Sequence, residues 1–298
     1  VIGRFSKPVK HGPSVEPLPP ELYEPLVRAT LGEDLGLGGD ITSDATIPHG
    51  TRALSAFVSR ENGVLAGLDV ALLALRSLDP TLSVEVAVQD GDRLTPGLRI
   101  AALAGDARAM LSAERTALNF LCHLSGIATT TAAYVAAIGD AHVSICETRK
   151  TLPGLRSLEK YAVRAGGGRN HRLRLDDAVL IKDNHIAVAG GVTQALAAVR
   201  AHIGHLVKVE IEVDTLAQLD EVLAHAESVD AVLLDNFKLD DLREAVRRVA
   251  GRIVVEASGG VNLESVAAIA ATGVDVISSG ALTHSAKALD IGLDIVAA

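Results

Sequence analysis

The chain has little of several residue types, and each scarcity excludes something. Only two cysteines, Cys122 and Cys146, occur in 298 residues. They form neither a CxxC pair nor a His/Cys ligand spacing, so no disulfide framework and no structural zinc site is expected. Walker A, HExxH and GxGxxG patterns are absent too. No uninterrupted apolar run approaches the ~18 residues of a spanning helix. The opening VIGRFSKPVKHGPSVEPLPPE has no apolar centre of the kind a secretion leader carries. A cytoplasmic chain without a membrane partner is the expectation. Positive charge is also scarce: 28 Lys and Arg stand against 37 Asp and Glu, a formal net charge of -9. That balance repels a polyanion and argues against nucleic acid, although a locally basic pocket can still hold a small anion.

With aromatics at 2% and no Trp, the 48% of hydrophobic residues are mostly Ala, Val, Leu and Ile, the usual material of helix-covered parallel sheets. The length allows one large barrel or two domains. Residues 1–19 read as a mobile lead-in. From Pro20 the signals are mixed: a helix near Glu21 to Leu35, the turn-rich GLGGDITSDATIPHG, and strand-like ALSAFVSR, LSVEVAVQD and GLRIAALAG around the helical GLDVALLALRSLDP. This is an α+β domain over 20–125. A long helical stretch, AMLSAERTALNFLCHLSGIATTTAAYVAAIG, follows, with an interruption expected at Ser125-Gly126 that sets the boundary.

Beyond it the pattern is regular. Six apolar runs, VSICETR, AVLIKDNH, LVKVEIEVD, AVLLDN, IVVEASGG and VDVISSG, alternate for the most part with the helical RSLEKYAVRA, TQALAAVRAH, TLAQLDEVLAHA, KLDDLREAVRRVA and NLESVAAIAATG. Strand followed by helix at this spacing gives right-handed βαβ units and a parallel sheet. Asp214 or Thr215, Asp235 or Asn236, and Asn262 are the expected N-caps.

Each run ends in polar chemistry: Thr148-Arg149-Lys150, Lys182-Asp183-Asn184-His185, Glu212-Val213-Asp214, Asp235-Asn236, Ser258-Gly259-Gly260 and Ser279-Gly280. In a (β/α) barrel the C-terminal strand ends share one face, so these segments meet in one pocket. Glycines after the last two strands suit a phosphate held by backbone N–H groups, where a single such loop would only permit a turn. Glu212 and Asp235 on neighbouring strands either pair with cations or hold Mg²⁺ over a pyrophosphate. Arg149, His171, Arg172 and Lys182 would individually pass as solvated or ion-paired rim residues. Grouped around GGGRNHRLRLDDAVLIKDNH they call for anions, and two Arg, a Lys and a His can clamp a dicarboxylate. Lys182 also raises Schiff-base chemistry, which would need apolar surroundings rather than a neighbour such as Asp183.

In order, AERTALNFLCHLSGIAT, ETRKTLPGLR, GGGRNHRLRLDDAVLIKDNH, VEIEVD, LLDN, EASGGVN and DVISSGALTHS resemble the blocks of the quinolinate phosphoribosyltransferase family, over nearly all of the chain from Pro20. The resemblance implies an α/β protein with an N-terminal α/β sandwich (20–125), an open seven-stranded α/β barrel (126–284) and a segment packing back on the N-terminal domain (285–298). It implies a pentosyltransferase that makes nicotinate mononucleotide, pyrophosphate and CO₂ from quinolinate and phosphoribosyl pyrophosphate, with Mg²⁺, in NAD biosynthesis. By matching motif, Thr148, Arg149, His171, Arg172 and Lys182 receive quinolinate, joined by Arg115 from the other subunit of a homodimer with shared sites. Lys150, Glu212, Asp235, Ser258, Gly259, Gly260, Ser279, Gly280, Ala281 and His284 receive phosphoribosyl pyrophosphate, and Glu212 and Asp235 its metal, directly or through water. Lys150, Lys182, Glu212 and Asp235 are the implied catalytic groups, the final proton arriving through Lys182 or a water. The alternatives are a Schiff-base aldolase and a transferase specific for nicotinate.

Overall fold

The computed structural model describes residues 15–139 and 141–297. In chain order the elements are α1 (Glu24–Leu35), α2 (Ile41–Thr46), β1 (Arg52–Ser59), β2 (Gly63–Val64), α3 (Leu68–Leu78), β3 (Ser83–Val86), β4 (Arg93–Leu94), β5 (Arg99–Asp106) and α4 (Ala107–Ile138). There follow β6 (Ser144–Cys146), α5 (Arg156–Ala165), β7 (Val179–Ile181), α6 (Asp183–Ala189), α7 (Val192–His202), β8 (Val209–Val213) and α8 (Leu216–Leu223). The chain ends with β9 (Ala231–Asp235), α9 (Leu239–Val249), β10 (Val254–Ser258), α10 (Val266–Ala270), β11 (Val276–Ser278), α11 (Ala281–His284) and β12 (Ile291–Ala297). Of the 1–19 lead-in, residues 1–14 lie outside the described residues.

Two compact units result. One holds the described residues through Ala132, Leu152–Gly167 and the residues from Ala286; the other holds Ala133–Thr151 and Gly168–Ser285. The first is built on an antiparallel sheet in the order β12-β1-β5-β3. Its core includes Phe57, Leu65, Leu75, Ile100, Leu103, Leu121, Leu124 and Ile127, all almost fully buried. Each such side chain contributes about 1.5–3 kcal/mol of hydrophobic stabilisation.

Several expectations change here. Helix α4 is continuous through Ser125-Gly126. Both residues serve packing: Ser125 Oγ accepts from the Ala66 N–H (3.1 Å) and donates to the Ala66 carbonyl (3.2 Å). A Cβ at Gly126 would collide with the Lys287 carbonyl. By length and composition α4 would pass as a membrane span, but its Leu121, Leu124 and Ile127 are core residues. The turn-rich GLGGDITSDATIPHG contains a helix, α2, because the Asp40 carboxylate accepts the N–H groups of Thr42 and Ser43 at its start. Helix α5, read as a barrel helix, groups with the first unit. There Tyr161 donates to Asp90 at 2.7 Å, and Glu159 pairs with His123 at 2.9 Å.

The second unit is a parallel sheet in the order β6-β11-β10-β9-β8-β7. Six strands form rather than seven. The remaining position is one parallel bridge, Cys146 to Arg169, in which the Arg169 N–H donates to the Ile145 carbonyl at 2.8 Å. It goes no further because the buried Glu147 side chain takes the next donors, the His171 N–H at 3.2 Å and the Asn170 amide at 3.0 Å. The barrel is therefore open between this segment and β7. Strand β7 is shorter than AVLIKDNH suggests, since α6 begins at Asp183.

Caps follow local chemistry. Thr215 caps α8 reciprocally with Gln218. Asn262 forms a turn that accepts the Glu264 and Ser265 N–H groups, with Ser265 as the N-cap of α10. Helix α9 is capped at Lys238, so Asp235 and Asn236 are not used as caps.

Candidate active site

Strand alternation decides what faces the barrel interior. In VEIEV, Val209, Ile211 and Val213 are buried outward under the helices, leaving Glu210 and Glu212 on the inner face. Register pairs Glu212 with Leu233, Leu233 with Glu256 and Asp235 with Ser258. The inner face thus reads Glu210 and Glu212 on β8, Leu233 and Asp235 on β9, Glu256 and Ser258 on β10, and Ser278 on β11.

All of these but Glu210 line a cavity of about 390 Å³ at the C-terminal ends of the strands, together with Thr148, Arg149, Lys150, His171, Arg172 and Lys182. The volume falls in the range of small-molecule sites. Within it lie four buried polar atoms that have no hydrogen-bond partner among the described residues: Arg149 Nε, Arg172 Nε, Glu256 Oε1 and Ser278 Oγ. Stranded donors in a protein interior are costly, and a ligand that satisfies them recovers that cost.

The cations are arranged unequally. Arg172 donates to the Ala178 carbonyl at 2.9 Å. Burial, and then the neighbouring Arg149 charge, lower its affinity for its own proton. Two guanidiniums that repel each other in a pocket favour an anion between them. Lys182 is ion-paired with Glu212. His171 accepts the Arg172 N–H on Nδ1 at 2.8 Å, and its Nε2 lies 3.1 Å from Glu210 and 3.5 Å from Glu256. Glu256 is pushed up to about 7 by burial first and by the adjacent Glu210 carboxylate second.

On the other side of the cavity, Thr148 Oγ1 accepts the Lys150 N–H at 3.1 Å and Thr283 donates to the Lys150 carbonyl at 2.9 Å. Asp235 is held by the Asn236 amide at 2.7 Å. Gly259 (φ 91°) packs so closely on Asn236 that a Cβ would overlap its side chain, whereas the space beside Gly260 (φ 60°) is open. Ser279 is tied to the Val261 carbonyl at 3.0 Å. A Cβ on Gly280 would stand 2.9 Å from Lys150 Cδ and 3.1 Å from His284. The exposed backbone of Gly260, the partly covered backbone of Gly280, the Lys150 ammonium and the Glu212 and Asp235 carboxylates therefore lie at the same strand ends. Two carboxylates from neighbouring strands suit Mg²⁺, which takes one or two acids and fills its shell with water and phosphate oxygens.

Thr148, Arg149, Lys150, His171, Arg172, Lys182, Glu212, Asp235 and Ser258 come together in this cavity. Arg115 is exposed on α4 and is not among the lining residues. Two inner-face acids, Glu210 and Glu256, and the buried Glu147 had no place in the sequence reading. The signal for the first two was available: a Glu two residues before a functional strand end, inside an apolar run, must share that end's face.

Known proteins place the chain in a family. Residues 40–125 match the family model of the quinolinate phosphoribosyl transferase N-terminal domain, and residues 127–294 that of its C-terminal domain. Over 274 residues, 90% of this chain and 95% of the relative, the sequence is 51% identical to the nicotinate-nucleotide pyrophosphorylase [carboxylating] of Mycobacterium leprae. The probable enzyme of that name from Bacillus subtilis is 44% identical, covering 88% of this chain and 90% of its own. The crystal structure of NadC from Streptococcus pyogenes superposes with a TM-score of 0.90 at 41% identity, over 94% of this chain and 99% of that one. With both domain models matched over 40–125 and 127–294 and near full-length relatives at up to 51% identity, the chain belongs to the quinolinate phosphoribosyltransferase family.

Proposed function

We propose that the cavity at the C-terminal strand ends carries out the carboxylating synthesis of nicotinate mononucleotide, with quinolinate on the Arg149, Arg172 and Lys182 side and phosphoribosyl pyrophosphate on the Lys150, Glu212, Asp235 and glycine side. The observation that carries this division is the set of unsatisfied Arg149 and Arg172 Nε donors, buried opposite a rim of backbone and acids. A dianionic ring supplies acceptors to the first; a metal-bound pyrophosphate suits the second.

The reaction then follows from charge. The pyridine nitrogen forms a bond to ribose C1 as the bond from C1 to the pyrophosphate oxygen breaks, and the electron pair leaves with pyrophosphate. Lys150 and the backbone N–H groups of the Gly259-Gly260 and Gly280 loops stabilise that negative charge. Glu212 and Asp235 would hold Mg²⁺, directly or through water, and the ion would supply charge neutralisation for the leaving group. The arginines hold the ring in line, which supplies orientation rather than new chemistry. The ribosylated ring nitrogen is cationic and accepts the electron pair left at C2 when its carboxylate departs as CO₂. A proton, delivered by Lys182 or by water, then forms the C–H bond. Lys182, paired with Glu212 at the border between the two halves, responds to both substrates. That pairing is also the polar environment that disfavours a Schiff-base role.

The family resemblance supports a homodimer in which Arg115 enters the partner's site, and a cytoplasmic location. The primary test is pyrophosphate release with quinolinate and with nicotinate as acceptor. Quinolinate-dependent release that requires Mg²⁺ is expected; turnover of nicotinate alone would transfer the site to a monocarboxylate transferase. Borohydride with a carbonyl substrate should trap nothing on Lys182.

A further inference from the structure

We infer that the buried Glu256 and the partly buried Glu210 are positioning residues for the dicarboxylate half of the pocket, acting through His171, whose ring links them to Arg172. This rests on the placement of quinolinate at Arg149 and Arg172.

Three observations carry it. First, both nitrogens of the His171 ring are engaged: Nδ1 accepts the Arg172 backbone N–H at 2.8 Å, so Nε2 bears the hydrogen and faces Glu210 at 3.1 Å and Glu256 at 3.5 Å. The ring is a strut between the acids and the residue that carries the guanidinium. Second, the strut is fixed from behind, because the fully buried Glu147 accepts the His171 N–H and the Asn170 amide. Third, His171, Arg172 and Glu256 line two cavities, the one at the C-terminal strand ends and a second of about 430 Å³ toward the N-terminal ends. A filled apolar layer normally occupies this level of a barrel. Acids placed there cost desolvation energy, which is tolerated where they hold something in register.

The charges explain why a buried acid is tolerated here. The groups facing Glu256 are Glu210 from β8, His171 from the segment before β7 and the Ser278 hydroxyl from β11. Arg149, Lys150, Arg172 and Lys182 line the same cavity as Glu256, against the carboxylates of Glu212 and Asp235. An ionised Glu256 would remove part of that cation excess, whereas a protonated Glu256 holds the geometry and leaves the excess for a dianion.

The test is steady-state kinetics of the full-length protein with both substrates varied, from pH 5.5 to 9. Glu256→Ala is expected to raise the KM for quinolinate on the order of tenfold or more, the scale of a misaimed orienting group, with the KM for phosphoribosyl pyrophosphate unchanged. Glu256→Gln keeps the shape and should rescue most of that loss at pH 7. In the wild type the quinolinate KM should climb above neutrality as Glu256 loses its proton, and Glu256→Gln should flatten that climb. A purely structural role would move neither the pH profile nor one KM alone. If Glu256→Ala does not fold, the pH profile of Glu256→Gln and the ¹⁵N shifts of the His171 ring decide. One bare and one protonated nitrogen from pH 6 to 8 is expected, and a doubly protonated ring would overturn the strut. Equal changes in both KM values, an unflattened profile, or a divalent ion retained stoichiometrically on His171, Glu210 and Glu256 would also overturn it. Should Arg172→Ala leave quinolinate KM unchanged, the placement of quinolinate fails. Should it raise KM while the Glu256 variants do nothing, only this inference fails.

Discussion

At the first residues of five of the six barrel strands stand Val179, Val209, Ala231, Val254 and Val276, the sixth, β6, beginning at Ser144; at or beside the last stand Lys182, Glu212, Asp235, Ser258 and Ser279. The strands are the same, yet one end is mostly apolar and the other is chemically active. Charges do occur near the N-terminal end, but they satisfy one another. Lys208 and Arg200 reach Asp230 at 2.6 and 3.5 Å, and Asp275 accepts the Val255 N–H at 2.8 Å. At the C-terminal end the Nε donors of Arg149 and Arg172 find no partner. What separates a stabilising rim from a binding rim is therefore the state of satisfaction, not the number of charges. Between the two lies the level of Glu210, Glu256 and His171, where fold and function meet.

That contrast can be broken in order of size. Arg172→Ala at the active end should weaken quinolinate binding by about 2–5 kcal/mol, the scale for stranding one side of a buried charge pair; calorimetry showing near-normal affinity would remove Arg172 from the clamp. Glu212→Ala should raise the Mg²⁺ concentration needed for phosphoribosyl pyrophosphate turnover by about 10- to 100-fold, and a defect confined to quinolinate would contradict its place. Gly259→Ala should destabilise by about 1–3 kcal/mol through its left-handed backbone and through collision with Asn236. Its melting temperature and KM for phosphoribosyl pyrophosphate should change together. At the quiet end, Lys208→Ala removes an exposed pair and should cost about 0–1 kcal/mol, with both KM values unchanged. A large kinetic effect there would erase the distinction between the ends.

The pH dependence of stability sharpens the middle level. Glu256 keeps its proton in the folded chain up to about 7, whereas in the unfolded chain it loses it near the ordinary glutamate value of 4.5. Its contribution is thus fully present below the unfolded value and is lost as pH rises through the folded one. The wild type should lose stability between pH 5 and 8, and Glu256→Gln should remove that part of the loss, as read from chemical denaturation at the two pH values.

Much of the site could be read before any coordinates. Thr148 to Lys150, Lys182, Glu212, Asp235 and Ser258 each close an apolar run, and in a parallel barrel the closing ends must converge. The interruption expected at Ser125-Gly126 failed because a small pair in a helix signals close packing as readily as a break. The helix at Ile41–Thr46 was hidden among glycines and turn residues, and only the Asp40 cap, a local hydrogen bond, marks it. No seventh strand forms because its position is one bridge long, ended by the side chain of Glu147, the residue that follows β6.

The sequence by itself determined the alternation of strand and helix, the face on which each residue of a strand must lie, and the family, since all three depend on local order along the chain. Only the tertiary structure decided that Lys182 pairs with Glu212, that His171 joins two acids to Arg172, and that four buried polar atoms in one cavity lack partners. Those outcomes depend on contacts between strands far apart in sequence, which periodicity cannot encode.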